Sequence, residues 1–248
     1  MKKKSIILLI IILIVFSTWV YKSEEKYIPT DYEISVINYF NEIAIKSEYF
    51  DNPERVTKWR KPMNLFIYKE AELSKQMELI YSTIKTINSI ASDGFKIEII
   101  EDYKDASAVL YLCDKNKVKE LAPNFYKLIE DSVNYEYTGF SYIEFKLTNF
   151  VINKALIFVD TEVSINEQKH SIVEELTQSL GLSNDSNKYS DSIFYESDSI
   201  QEKTGFSYSK MDIALIKYLY APKMKPGFKE KSAEIVIKKI MKSEKNLE

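Results

Sequence analysis

Two residue types that build catalytic and metal sites are almost missing from this chain of 248 residues. Cys113 is its only cysteine and His170 its only histidine. One cysteine excludes an intramolecular disulfide framework and a cysteine zinc cluster. One histidine excludes a site with two or three histidines in a single copy of the protein. Cys113 lies within the apolar run 106–113, away from any basic cluster, which predicts a buried apolar residue rather than a reactive thiol.

An excess of positive charge is also missing. The chain has 34 lysines and arginines against 37 acidic residues, a net charge of -3. No basic footprint for nucleic acid is visible, so we expect no nucleic-acid partner. The hydrophobic content of 45% and aromatic content of 13% are typical of a globular domain with a full core.

The N-terminus has the pattern of a targeting segment. A lysine triplet at 2–4 precedes the apolar run 6–16, the arrangement of a basic region followed by a hydrophobic region. No clean cleavage site precedes Trp19, which favours an uncleaved signal-anchor within residues 1–23 over a cleaved signal peptide. The lysines are expected to stay cytoplasmic, so a single membrane pass through residues 5–21 places the rest of the chain outside. Secretion after cleavage is the alternative.

The remaining chain is expected to form a short linker over 24–30 and a single domain over 31–248. Its hydrophobic spacing predicts a layered α/β (α+β) domain, with strands clustered early and helices late. The expected elements are a helix over 32–50 with Asp31 as its N-cap, a strand over 63–68, a long helix over 69–90, strands over 95–100 and 106–113, helix and loop over 118–129, strands over 140–147 and 155–159, a helix over 168–180, and helices over 211–220 and 229–242.

A polar stripe runs along the helix expected over 168–180. Glu174 and Gln178 are four residues apart and so share one helix face, with His170 one turn earlier. Glu175 faces a neighbouring side of the same polar surface. Two interpretations stay open at this point: the stripe belongs to a site, or it is a solvated helix face.

The chain is expected to turn at Gly181, because glycine adopts the left-handed conformation that ends many helices. It then doubles back, which allows Asn184 to meet Glu174 and Gln178. Amide groups both donate and accept hydrogen bonds and a carboxylate accepts them, so these three side chains can satisfy one another without a cation. We predict that they bond the loop over 184–192 as a structural clasp.

The segment from His170 to Ser186, HSIVEELTQSLGLSNDS, resembles the zinc helix of metzincin metalloproteases, which read H-E-x-x-H-x-x-G-x-x-H. The frame keeps its glycine and its glutamate, Glu175. Its three ligand positions hold Glu174, Gln178 and Asn184 instead of histidine. The resemblance implies a zincin-like fold with a mixed sheet, a long helix and a motif helix, from which the zinc-binding histidines have been lost.

A second stretch resembles the methionine turn of metzincins, where a methionine lies beneath the metal. It comprises residues 209–212, with Met211 in the corresponding place, and is followed by a helix. The resemblance also implies that the strand over 140–147 is the edge strand that borders the cleft and pairs with extended peptides.

The ligand positions predict no bound metal. They offer one carboxylate and two amide oxygens, whereas zinc favours imidazole nitrogen and thiolate sulfur. Oxygen ligands suit calcium or magnesium, but three of them without a preformed cage bind weakly. We expect no cofactor either. If the protein is active, Glu175 is the candidate general base, and it lacks an electrophilic partner.

The stretch from Glu174 to Ser186 also resembles an uncharacterised bacterial family whose exported members carry E-E-L-T-Q-x-L-G-L-x-N-D-S. This resemblance is clear over residues 155–228 and implies no particular activity.

The leading hypothesis is a membrane-anchored protein outside the cytoplasm with an inactive metzincin-like domain that binds a peptide or an envelope partner. One alternative is a peptidase-like hydrolase that uses Glu175 with a non-zinc or atypical metal, and another is a purely structural envelope protein. The candidate binding residues are Glu174, Gln178, Asn184, Asp185 and Met211.

Overall fold

The computed structural model describes residues 27–46, 54–132, 137–196 and 206–246. The expected anchor over 1–23 lies outside these ranges. Within them, no helix combines the length and apolar character needed to cross a membrane.

Seven α-helices and six strands are formed by the described residues. The helices are α1 (Asp31–Ile45), α2 (Ser74–Ile90), α3 (Lys115–Leu121), α4 (Pro123–Ser132), α5 (Ile165–Gln178), α6 (Lys210–Leu219) and α7 (Glu230–Lys245). The strands are β1 (Lys58–Trp59), β2 (Met63–Lys69), β3 (Ile97–Ile100), β4 (Ala108–Cys113), β5 (Gly139–Phe145) and β6 (Val151–Asp160). A short 3-10 helix spans Tyr103–Asp105.

The six strands form one mixed sheet, as the sequence predicts. The order is β1-β6-β4-β2-β3, with all of these neighbours parallel. Strand β5 pairs antiparallel with β6, from Gly139 opposite Val159 to Phe145 opposite Ile152. Every residue of β4 is buried because helices cover both faces of the sheet.

The two faces carry different cores. We call one the motif face: helices α1, α2, α5, α6 and α7 pack on it in the larger hydrophobic cluster. We call the other the aromatic face, where α3 and α4 pack in a smaller cluster with Tyr111, Phe125, Phe140 and Phe158. Cys113 lies in this smaller cluster and is buried, which confirms its expected role as a small apolar residue. Burial raises the pKa of its thiol to about 12.

Three expectations about helices are corrected by the structure. Thr30, not Asp31, is the N-cap of α1: its hydroxyl accepts from the Glu33 backbone while the Glu33 carboxylate accepts from the Thr30 backbone. This capping box places Asp31 inside the first turn. The long helix begins at Ser74 rather than at 69. The stretch expected as helix and loop forms two helices, because Pro123 takes the first position of α4, where its missing N–H is not needed.

Candidate functional site

The motif helix α5 is buried along its polar stripe. A capping box between Ser164 and Glu167 starts the helix. Farther along, only 5% of Glu174, 6% of Glu175 and 9% of Gln178 is exposed. The solvated-face interpretation is therefore wrong, and the polar groups of this stripe need partners inside the protein.

The first half of the stripe pairs within the helix and with the long helix α2. His170 Nε2 lies 3.3 Å from Glu174 Oε2, so the first ligand position of the metzincin frame faces the chain's single histidine. Two residues before His170, the Gln168 amide oxygen accepts from Gln76 Nε2 of α2 at 2.7 Å. Its own amide donates to the carbonyls of Thr161 and Val163 in the turn before α5.

The second half of the stripe joins three parts of the fold. The Gln178 amide oxygen accepts from Ser141 Oγ of β5 at 3.0 Å, and its amide nitrogen donates to Asp185 Oδ1 at 2.8 Å. The strand, the motif helix and the following loop are therefore linked through one side chain. A further contact between Thr138 and Ser171 hydroxyls, 2.7 Å apart, ties the start of β5 to the same helix.

Glu175 packs against the backbone of β5. A Cβ added at Gly139 would lie 2.8 Å from Glu175 Oε1 and 2.9 Å from the Ser171 Cβ, closer than real Cβ contacts. Glycine at 139 is therefore what allows the strand to approach the buried carboxylate. The sequence alone gave no signal for this contact.

The glycine turn has the expected left-handed conformation, with φ of +103° at Gly181. An added Cβ would lie only 2.2 Å from the Thr57 carbonyl oxygen, so the turn fits closely under the chain entering β1. Trp59 Nε1 donates to the Ser179 carbonyl at 2.9 Å, and the Tyr220 hydroxyl donates to the Leu180 carbonyl at 2.9 Å. Two segments that are distant in sequence, one around β1 and one after α6, thus hold the end of the motif helix.

Lys58 of β1 is a buried cation that the sequence analysis missed. None of its surface is exposed, and its Nζ donates to Asp93 Oδ2 at 2.7 Å and to the Leu219 carbonyl at 2.5 Å. Burial lowers its pKa, although the interaction with Asp93 opposes this effect. Lys58 thus joins β1 to the loop after α2 through Asp93 and to the end of α6 through the Leu219 carbonyl.

The loop after the motif is fixed at two places. Asn184 donates from its amide to the Asp185 carbonyl at 2.9 Å, within the loop itself. Ser186 donates to Glu42 Oε1 of α1 at 2.7 Å, and Lys188 pairs with the other oxygen of Glu42. The clasp therefore differs from the predicted trio: Gln178 bonds Asp185, whereas Asn184 bonds the adjacent backbone and Glu174 lies against His170.

Asp212 is a second anchor of this loop that the sequence analysis did not single out. The Tyr39 hydroxyl donates to Ser192 Oγ at 2.8 Å, and Ser192 donates to Asp212 Oδ1 at 2.6 Å. The other carboxylate oxygen accepts from the Ser209 backbone at 2.8 Å and from the Ile193 backbone at 3.3 Å. Burial raises the pKa of Asp212, although these hydrogen bonds oppose the rise.

Met211 precedes Asp212 in the first turn of α6. It is buried and packs in the core of the motif face. Across the four described ranges, no group of three or more histidine, cysteine, aspartate or glutamate residues is arranged to hold a metal ion.

A polar cleft of about 690 Å³ opens between α1 and α7, beside the loop that follows the motif. Its walls include Asn38 and Glu42 of α1, Lys188 of the loop, and Lys229 and Glu230 at the start of α7. Glu42 is the residue that Ser186 holds, so the last residue of the motif stretch positions a side chain of this cleft.

Comparison with known proteins assigns a family but no activity. No curated protein matches the chain. One family model matches residues 34–239, which is most of the chain and extends well beyond the 155–228 segment noted from the sequence. The chain belongs to the family described as "Protein of unknown function (DUF2927)".

Proposed function

We propose that this protein is a non-catalytic, zincin-like binding module, tethered outside the cytoplasmic membrane, that binds a peptide or another envelope partner. The observation that carries the proposal is that the Gln178 side chain is hydrogen-bonded within the protein at both ends of its amide. In the metzincin frame this position supplies a metal ligand, whereas here both ends of its amide are bonded to protein, to Ser141 and to Asp185.

The neighbouring frame positions support the same conclusion. The Glu174 carboxylate lies buried, 3.3 Å from His170 Nε2, and Asn184 bonds its own loop. Glu175, the candidate general base, packs against Gly139 of β5. A carboxylate without an electrophile contributes only general-base assistance to hydrolysis. Gln178 joins the helix, the strand and the loop, while Glu174 contacts its own helix and Asn184 its own loop.

Several structural features agree with the zincin-like part of the proposal. The long helix α2 and the motif helix α5 pack on one face of the sheet. Strand β5 is antiparallel to its neighbour β6 and contacts the motif helix, as expected of the metzincin edge strand, although its residues are not among those that line the polar cleft between α1 and α7. Gly181 ends the motif segment in a left-handed turn.

The polar cleft is the surface that best suits a bound partner. Its volume of about 690 Å³ lies within the usual range for ligand pockets. Lysines and glutamates line its walls together, which favours a polar partner such as a peptide over an apolar ligand.

A peptidase assay tests the non-catalytic part. The full-length chain in mild detergent would be incubated with a mixed peptide library, and products would be compared by mass spectrometry with those of Glu175→Gln. We expect identical product profiles. Hydrolysis that is lost in a Glu175→Gln variant with an unchanged melting temperature would establish the hydrolase alternative instead.

A photo-crosslinking experiment tests the binding part. A benzoylphenylalanine at Asn38, which is exposed on the cleft wall, would be compared with one at Tyr81, which is exposed on α2. In the cells that produce the protein, we expect a discrete adduct from position 38, weakened by Lys188→Glu, and none from position 81. Equal labelling from both positions, or none from position 38, would contradict cleft binding and favour a purely structural protein.

A further inference from the structure

The N-terminal end of α1 exposes apolar surface beside the chain that leads to the expected anchor. Ile28 is 79% exposed, the highest exposure among the large hydrophobic side chains of the described residues, and Tyr32 is 54% exposed. Single exposed apolar residues are common on soluble proteins. These two differ from such residues because ordered contacts fix their positions, lysines lie beside them, and they closely follow the expected anchor.

The end of α1 is a fixed structure. Its capping box joins Thr30 and Glu33, and the Tyr27 hydroxyl also donates to the Glu33 carboxylate. Tyr27 packs against the core of the motif face. Ile28 therefore lies between two anchored residues, so its outward position is determined by the domain.

The last turn of α7 lies at the same end of the molecule and carries Lys242 and Lys245. Burial raises the pKa of Glu33, but its bonds from Tyr27 and Thr30, together with the nearby Lys245, lower it overall. Two acidic residues here are engaged: Glu33 in the capping box and Glu244 with Lys217 of α6. Asp31 is exposed in the first turn of α1 and partly offsets the lysines.

The chain length outside the described residues limits how far this end can move from a membrane. The expected anchor ends at residue 21 and the described chain begins at residue 27. Even when fully extended, the chain from residue 21 to residue 27 spans only roughly 20 Å. An anchored chain must therefore keep Ile28, directly after residue 27, within roughly 20–25 Å of the bilayer surface, which is comparable with the radius of gyration of about 17 Å expected for a domain of this size.

We infer that this end of the domain, formed by Ile28, Tyr32, Lys242 and Lys245, is a lipid-contact face that rests on the bilayer holding the anchor. Tyrosine places its ring among the headgroups with its hydroxyl toward water, and isoleucine adds apolar contact. Lysine lets its apolar stem lie on the surface while its ammonium pairs with lipid phosphate. The inference rests on the proposed membrane attachment, and it orients the cleft with respect to the membrane.

Fluorescence of the full-length chain in vesicles tests this inference. Variants Ile28→Cys and Tyr32→Cys would each carry a polarity-sensitive thiol probe, with Leu121→Cys as control. Leu121 is also an exposed apolar residue, at the end of α3 on the aromatic face. Labelling is selective because Cys113 is buried and its pKa is raised by burial to about 12. The vesicles would contain phosphatidylcholine with or without phosphatidylglycerol.

We expect blue-shifted emission and weaker iodide quenching at positions 28 and 32 than at 121. The difference should be larger in phosphatidylglycerol vesicles. Replacing Lys245 with glutamine should lower the ratio of domains that contact the bilayer to domains that do not by about fivefold, as expected for one lysine near an anionic surface. Lys104→Gln, at an exposed lysine of the 3-10 helix, should leave the ratio unchanged.

The possible failures can be distinguished. A chain that does not float with the vesicles would refute the proposed membrane attachment. A chain that floats, but whose probes at 28 and 32 are quenched like the probe at 121, would overturn the lipid-contact face alone. Protection that disappears when each vesicle holds fewer than one chain would assign the surface to a second copy and would also overturn it.

Discussion

The two faces of the sheet bury very different side chains. The aromatic face is filled by residues such as Tyr111, Phe125 and Phe140, whose rings lie about 6 Å apart. The motif face buries the polar stripe of α5 together with its apolar core. Apolar packing depends chiefly on filled volume, whereas buried polar groups depend on each partner being in place. Mutations on the two faces should therefore destabilise the protein for different physical reasons.

The largest effect is expected at the glycine turn of the motif face. Gly181→Ala combines a left-handed backbone with a Cβ placed 2.2 Å from the Thr57 carbonyl oxygen. Backbone strain and overpacking together should lower the free energy of unfolding by roughly 2–6 kcal/mol. Urea titration would measure it.

Gly94→Ala is the matched control for this prediction. Gly94 also has a left-handed backbone, with φ of +93°, but no atom lies within 4 Å of an added Cβ. Only the strain of the left-handed backbone remains, so the free energy of unfolding should fall by about 1–2 kcal/mol. Equal losses at the two glycines would show that the close fit of the turn against Thr57 contributes nothing.

On the aromatic face, Phe158→Ala should lower the free energy of unfolding by about 3–5 kcal/mol through the cavity that it leaves. Phe158 is fully buried in β6 and packs edge-on against Tyr137, with ring centroids 6.1 Å apart. Phe158→Leu, which keeps more of the volume, should lose less. If alanine and leucine were equally destabilising, volume would not be what stabilises this face.

On the motif face, Gln178→Ala should lower the free energy of unfolding by about 1–3 kcal/mol because it removes the partner of Ser141 and of Asp185. A double-mutant cycle sharpens the test of Gln178.

Gln178→Ala and Asp185→Ala together should be less destabilising than the sum of the single changes. Glu174→Ala combined with His170→Ala should behave likewise, because these side chains lie 3.3 Å apart. Strict additivity in both cycles would contradict the clasp.

The smallest effect concerns pH and Asp212. Because burial raises its pKa in the folded state, folding is favoured when this carboxyl is protonated. Its contribution is fully present below the unfolded value of about 4 and is lost as pH rises through the higher folded value. The stability of the wild type relative to Asp212→Asn should therefore fall from acid toward neutral pH. A difference that rises with pH would contradict this assignment.

The sequence predicts the elements of this fold better than their contacts. Alternation predicted β5, and continuous apolar residues predicted the buried part of β6, because both patterns are local. The left-handed turn at Gly181 was also predictable from its residue type. Strand β1 was missed, since a lysine beside a tryptophan in a basic stretch has no strand pattern.

The site was predictable in its helix spacing and not in its partners. Gln178 was identified from the motif frame, but its bond to Ser141 joins residues 37 positions apart in the chain. The contact of Tyr39 with Ser192 and the burial of Lys58 are likewise long-range. No local pattern encodes such pairs, because they depend on how the helices pack on the sheet.

Zinc analysis of the full-length protein tests the central claim most directly. After exhaustive dialysis at neutral pH we expect no stoichiometric zinc, and added zinc should leave the melting temperature unchanged. The Gln178 amide is hydrogen-bonded to Ser141 and Asp185 of the same chain, and Glu174 lies 3.3 Å from His170. These contacts take the place of coordination to a metal. About one zinc per chain, lost in Glu174→Ala, would contradict the account and restore the metalloenzyme interpretation.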